Sequence, residues 1–366
     1  MKTKSYLGVI IFAAIFAFMF LLCVFFPGEG YSNAERRPLA EIPAISTETV
    51  FDGSFSRDFE TYASERIPLR DVWHKIKASF AFKILKHKDN NGLYVSDGHI
   101  SKIDTPENDY MTDYATDKFR EIYNTYMINR NNKVYLSVVP DKNMFLSTKN
   151  GYPSIDYDKF ISKIKDKTVY MEYIDIIPFL ELDDYYRTDT HWRQEKIKDI
   201  SYHIASSMGV SVSDNYTVNT LGVPFKGVYH GQLAMEFEPD TIKYLTNDTI
   251  DNCEVTYYDT GSPRKGDMYS IEKAQGKDPY EMFLNGSMPL VTIENLQNTS
   301  GKELIMLRDS FGSSLAPLLC EGYSKITLVD IRYINSKVLG NFIDFNNSDI
   351  LFIYSTAILN NSTALK

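Results

Sequence analysis

The segment YYRTDTHWRQEK, residues 185–196, places Asp189 and His191 one residue apart. An Asp-x-His pair can hold an imidazole in one tautomer as a general base, but it names no reaction until a nucleophile or a metal joins it. Ser310, in KELIMLRDSFGSSLAPLL (residues 302–319), stands where an apolar strand gives way to a helix. Its hydroxyl is a weak nucleophile until a base takes the proton, and the positive end of the helix would favour a developing oxyanion. Ser310, His191 and Asp189 therefore form a candidate triad, with Gly312 allowing a close backbone approach. Each residue also has a plainer reading. Asp309 or Ser310 can cap the following helix, and Asp189 can cap a helix beginning near Trp192, with His191 a solvent-exposed neighbour.

A metal site would use Asp189 and His191 with Asp183, Asp184 or His230. The chain lacks H-x-x-x-H, His-rich and Cys-pair spacing, so neither a metal nor a cofactor is expected. Weaker candidates surround the triad. Gly231 in YHGQLA and Asn285 in FLNG are possible second oxyanion donors, and Arg332 and Tyr333 lie just beyond a strand end where a substrate cleft would open. Each has an equally simple packing or turn role. Trp192 is either a face for a sugar ring or a core anchor. Lys142 in VVPDK reads as a solvated lysine.

In open α/β sheets, such groups meet at the carboxyl edge of the strands. The pattern supplies those strands. KVYLSVVP (133–140), 168–174, ELIMLRD (303–309), KITLVDI (325–331) and DILFIYS (349–355) read as buried strands, with helices over 110–130, 156–166, 192–208, 311–322 and 334–345. Residues 210–290 are less regular. Continuous apolar strands alternating with helices predict a three-layer α/β/α domain with a parallel sheet, from about residue 89 to the C-terminus. Before it, residues 55–85 read as two helices broken near Ile67-Pro68, and NNGLYVSDGHI as a hairpin.

The chain is 366 residues long, 43% hydrophobic and 24% charged, with a net charge of −9 and no long basic run. That is a globular composition without a nucleic-acid footprint. Residues 6–26 carry no charge and would reach roughly 31 Å as a helix, enough to cross a bilayer. The run is too long for a signal peptide and ends in PGEGYSN rather than a cleavage site, so it is expected to remain as an anchor. Lys2 and Lys4 precede it, which predicts a cytoplasmic N-terminus and an external bulk beyond Pro27. The expected layout is an anchor over 1–30, a tether and helical region over 31–88, and the catalytic fold over 89–366. Of the three cysteines, Cys23 lies in the anchor, Cys320 reads as core, and Cys253 and Cys320 make no disulfide framework.

The segments ERRPLAEIP, FDGSFSRDFETYASERIPLRD, NNGLYVSDGHI, VVPDK, YYRTDTHW, YHGQLA, DPYEMFLNG, LRDSFGSSLAPLL and VDIRY, in that order, span nearly the whole chain. They resemble the DHHW family of bacterial cell-envelope proteins, related to the AlgX/AlgJ-like polysaccharide O-acetyltransferases with an SGNH-hydrolase-like fold. The resemblance implies Ser310 as nucleophile, with Asp189 and His191 preceding it in the chain as in the AlgX/AlgJ permutation. Thr190 stands where the family motif has its first histidine, so any substrate contact made by that histidine is absent. The implied function is an O-acyltransferase, with acetyl as the acyl group, acting on a cell-surface polysaccharide and fed by a membrane-bound O-acyltransferase partner. A carbohydrate esterase uses the same triad chemistry, and a non-catalytic glycan-binding or scaffold protein could keep the same fold.

Overall fold

A computed structural model describes residues 2–25, 30–259 and 262–366. Pro27, beyond which the bulk of the chain is expected to be external, lies outside the described residues. The chain forms two compact units, residues 1–91 with 228–237, and residues 92–227 with 238–366.

The first unit opens with helix α1 (Lys2–Phe25), whose window Tyr6–Cys23 has a mean hydropathy of 2.7 and no buried residues. Its 24 residues reach about 36 Å, long and apolar enough to cross a membrane once. Helices α2 (Ser54–Glu65) and α3 (Arg70–Ser79) follow. They part around Pro68, which lacks an N–H and disfavours helical geometry in Ile67 before it. Glu35 ties this unit together, accepting from Arg70 at 2.6 Å and from Arg37 at 2.8 Å.

The second unit is built on an eight-stranded sheet. In chain order its strands are β1 (Val134–Val139), β2 (Glu172–Tyr173), β3 (Glu254–Tyr257), β4 (Arg264–Gly266), β5 (Leu290–Glu294), β6 (Glu303–Arg308), β7 (Lys325–Val329) and β8 (Ser348–Ser355). The spatial order is β4-β3-β5-β7-β6-β8-β1-β2. β7, β6, β8, β1 and β2 run parallel, whereas β5, β3 and β4 add an antiparallel extension at one side.

Successive side chains of a strand point to opposite faces, so continuous apolar strands need cover on both. Leu304 and Met306 of β6 join the core under helices α6 (Lys198–Ser207) and α7 (Phe311–Leu319). Ile305 and Leu307 join the core under α4 (Asp109–Tyr126) and α5 (Tyr157–Lys167). The result is the three-layer α/β/α arrangement expected from the pattern. Several of the expected elements are shorter. The helix read over 192–208 begins as α-helix only at Lys198, the one over 110–130 ends at Tyr126, 334–345 is reduced to a 3-10 turn over Ser336–Asn341, and the strand read over 168–174 pairs only through Glu172–Tyr173. Cys320 is buried, as expected of a core position, and all three cysteines are free thiols.

Candidate active site

Because β1, β6, β7 and β8 are parallel, their carboxyl ends share one edge of the sheet. Lys142, Ser310, Asp330 and Thr356 follow those four ends within a few residues.

Ser310 sits between β6 and α7 with helical backbone angles, and its side chain makes no capping bond. Asp309 takes the structural duty instead. One carboxylate oxygen accepts from Phe311 N–H at 3.0 Å and the other from Ser355 N–H at 2.8 Å, fastening the strand ends together. The serine hydroxyl is thereby released to face His191, with Oγ 2.7 Å from Nε2. Gly312 has a packing reason beneath this turn, since a Cβ there would meet Arg308 Cβ at 2.6 Å.

His191 and Asp189 lie in a tight loop rather than at a helix start. Tyr185 bridges to Trp192, and Tyr186 N–H donates to the His191 carbonyl at 3.0 Å. His191 Nδ1 lies 2.6 Å from Asp189 Oδ1, which also accepts from His191 N–H at 3.1 Å. Asp189 is buried and His191 is only 9% exposed, not the solvent-facing neighbour of the capping alternative. The Tyr280 ring stacks on the imidazole at 3.8 Å and 9° between planes, and Phe311 stands 5.2 Å away. The structure thus joins Asp189, His191 and Ser310 in one continuous run of hydrogen bonds, with one imidazole face closed by an aromatic ring.

Two residues that the sequence did not single out as loop supports hold this loop from behind. Lys142 is buried, not solvated as its sequence context suggested. Its Nζ donates to the carbonyls of Tyr186 at 2.7 Å, Arg187 at 3.2 Å and Asp189 at 2.7 Å. Burial pushes its pKa down to about 7, opposed by the charges of Asp189, Asp240 and Asp141. Asp240 accepts from Arg187 N–H at 3.0 Å and from Thr188 N–H at 2.7 Å. A lysine just past an apolar strand was the one available signal, since a strand end at the site edge is a poor place for an idle charge. Nothing local marks Asp240, which is 52 residues from Thr188.

The remaining candidates divide. Trp192 is fully buried and donates its indole N–H to Ser314 Oγ at 2.8 Å, so it anchors the core and offers no face to a sugar. Gly231 belongs to the first unit, where an added Cβ would lie 1.7 Å from the Ala34 carbonyl oxygen; close packing explains that glycine. Asn285 lies in a turn of left-handed residues, with φ of 49° at Leu284, 62° at Asn285 and 76° at Gly286. Arg332 turns its fork onto buried Asp330, at 2.9 and 2.6 Å, an ion pair Arg308 approaches at 3.5 Å. Tyr333 is 47% exposed and reaches Ser287 Oγ at 3.2 Å, linking the segment after β7 to the Asn285 turn. Asp183 pairs with Arg193 and Lys196, and His230 lies in the first unit. Among the described residues no group of three His, Cys, Asp or Glu is arranged to hold a metal ion.

No family model and no curated protein sequence matches the chain. Solved structures do. A DHHW family protein from Eubacterium siraeum is 22% identical with a TM-score of 0.59, over 76% of this chain and 97% of its own. Bacillus cereus PatB1, solved with a sulfonyl adduct, is 18% identical with a TM-score of 0.59, over 73% and 95%. The O-acetyltransferase domain of Pseudomonas putida AlgJ is 12% identical with a TM-score of 0.44, over 74% and 92%. The SGNH-hydrolase-like α/β fold implied by the sequence motifs is the fold of this chain, shared with the DHHW family protein and PatB1.

Proposed function

We propose that this chain is a membrane-anchored O-acyltransferase that works outside the cytoplasm on a cell-surface polysaccharide, with acetyl as the transferred group. The observation that carries the reading is the run Asp189 Oδ1, His191 Nδ1, His191 Nε2, Ser310 Oγ, with gaps of 2.6 and 2.7 Å on either side of the ring. Distances of this size allow proton transfer without rearrangement.

In this reading Ser310 Oγ attacks the acyl carbonyl while His191 Nε2 takes its proton. Asp189 keeps Nδ1 protonated and stabilises the imidazolium. The Ser310 N–H makes no hydrogen bond among the described residues and lies at the amino end of α7, where it can donate to the oxyanion. The imidazolium returns its proton to the leaving group, which leaves an acyl ester on Ser310. A sugar hydroxyl then loses its proton to His191 and attacks the ester; the bond from the acyl carbon to Ser310 Oγ breaks, His191 returns the proton to that oxygen, and the sugar carries the acyl group away. A membrane-bound O-acyltransferase is the implied supplier of the acyl group, and α1 keeps the enzyme near it.

The test is direct. The purified chain should release acetate from an activated aryl ester and form a covalent adduct with a serine-reactive sulfonyl fluoride. Ser310→Ala should abolish both. Cells lacking the protein should make polysaccharide with fewer O-acetyl groups, measured by NMR before and after mild base, restored by wild type and not by Ser310→Ala. More acetyl in the deletion strain would indicate an esterase. A folded wild type inert to both reagents would indicate a non-catalytic glycan-binding or scaffold protein.

A further inference from the structure

Helix α3 and the π-helical turn that continues it, Phe80–Ile84, are amphipathic in the wrong sense for a helix serving only its own fold. The fully buried residues are small, Ala78 and Ala81, with Phe82 half-buried beside them. The other large apolar residues are turned outward, with Val72 47%, Trp73 46%, Ile76 53% and Phe80 52% exposed, flanked by exposed Leu69 and Ile84. Intervals of three and four residues place the four helical positions within an arc of about 100°. A face this apolar on a water-soluble surface marks an interaction site.

The charge around the stripe indicates what covers it. Residues 69–88 hold Arg70, Lys75, Lys77, Lys83, Lys86 and Lys88 and one acidic residue, Asp71, in a chain whose net charge is −9; Arg70 is taken up by Glu35 at 2.6 Å and Lys75 by Glu236 at 3.0 Å, so Lys77, Lys83 and Lys86 carry the basic character beside the stripe. An apolar stripe that includes a tryptophan, flanked by lysines, has the composition of a helix lying flat in a bilayer interface, with basic groups against anionic headgroups. The same unit begins with α1, so the chain returns to this helix within a few tens of residues of the bilayer. We propose that α3 and the turn Phe80–Ile84 lie in the surface of the membrane that α1 enters, the stripe among the upper acyl chains and the lysines against anionic phospholipid. The inference rests on the reading of α1 as an anchor and is independent of the acyl chemistry.

The chain has two tryptophans, Trp73 on the stripe and Trp192 in the core, so fluorescence can report on the stripe. The full chain is reconstituted into vesicles of phosphatidylcholine and phosphatidylglycerol with brominated acyl chains, and insertion of α1 is verified by resistance to alkaline carbonate. Trp73 should lose most of its emission, an effect absent from Trp73→Phe. The pair Ile76→Glu and Phe80→Glu should abolish the loss while α1 stays inserted. Omitting phosphatidylglycerol should weaken the quenching, and equal quenching without it would overturn the role of the lysines. If Trp73 is instead quenched by acrylamide from the water, the stripe is not in the membrane. If it is shielded from both quenchers, protein covers it, a second copy or another partner, and the proposal is overturned.

Discussion

Lys142 Nζ donates to the backbone carbonyl of Asp189 at 2.7 Å, and so grips the residue that orients His191. An ammonium has three N–H donors, and here three carbonyls of one loop receive them. Lys142→Met keeps much of the side chain's bulk but leaves those carbonyls without a donor in a buried place. Each unpaired group costs about 1–3 kcal/mol, partly offset because an ammonium no longer needs burying. We expect a net loss of about 2–4 kcal/mol in urea unfolding. Turnover on an aryl ester should fall on the order of 10²-fold with KM little changed, because misplacing the imidazole affects the reacting geometry more than binding. A stable, fully active Lys142→Met would show that the loop holds itself.

The same lysine gives a pH signature. Its pKa in the fold, about 7, lies below its ordinary 10.5. Between those values the unfolded chain holds the proton and the folded chain has shed it, so folding stability rises with pH. Below about 7 both states are charged and the burial penalty is present in full; above 10.5 both are neutral and it is gone. The stability of wild type relative to Lys142→Met should therefore increase from pH 7 toward pH 10, measured by urea titration at each pH. A flat difference would place the lysine's pKa near its ordinary value.

How far the sequence reaches is clearest at the sheet. β6, β7 and β8 come within two residues of their predicted bounds because strands buried on both faces are unbroken apolar runs, and helix α5 does so because its period is regular, whereas α4 starts as predicted and ends four residues early, at Tyr126. The antiparallel strands β3 to β5 are short and enter the sheet only through pairing with β7, so periodicity could not order them. The helix expected from Trp192 fails for a related reason. Trp192 and Gln194 are buried, but their side chains bind Ser314 and the Leu245 N–H, and the backbone makes only a 3-10 turn over Gln194–Lys196 before the α-helix starts at Lys198. Within the candidate site, Ser310, His191 and Asp189 could be proposed from sequence because their types imply chemistry, and the structure brings the three side chains together. Lys142, Asp240 and Tyr280 act through burial and distant partners, which one-dimensional spacing does not carry.

Asp309 separates a structural carboxylate from its neighbouring serine. Its two oxygens hold the N–H groups of Phe311 and Ser355, so Asp309→Ala leaves two buried donors unpaired at the ends of β6 and β8. We expect a loss of about 2–4 kcal/mol in chemical unfolding, since bonds to an ionised acceptor are stronger than neutral ones. Asp309→Asn retains one acceptor and should cost roughly half as much. If Asp309→Ala unfolds like wild type, the two bonds are not stabilising the edge.

The role of Asp189 can be isolated from the shape of its loop. Its Oδ1 accepts from His191 N–H at 3.1 Å and lies 2.6 Å from Nδ1, while Lys142 holds its carbonyl. Asp189→Asn fits the same space, and the backbone grip survives, so unfolding should shift by no more than about 1 kcal/mol. What disappears, in the mechanism proposed above, is the negative charge beside the imidazolium that would form as Ser310 gives up its proton. If the amide presents oxygen to Nδ1, the tautomer is kept and only the charge is lost; if it presents nitrogen, the proton moves to Nε2 and the ring can no longer act as a base toward Ser310. Turnover on an aryl ester should fall on the order of 10²–10⁴-fold for these two cases, with KM nearly unchanged. Labelling by a sulfonyl fluoride should slow in parallel, because it needs the same deprotonated Ser310. Unchanged labelling and turnover in a folded Asp189→Asn would remove Asp189 from the machinery and leave Ser310 and His191 as a dyad.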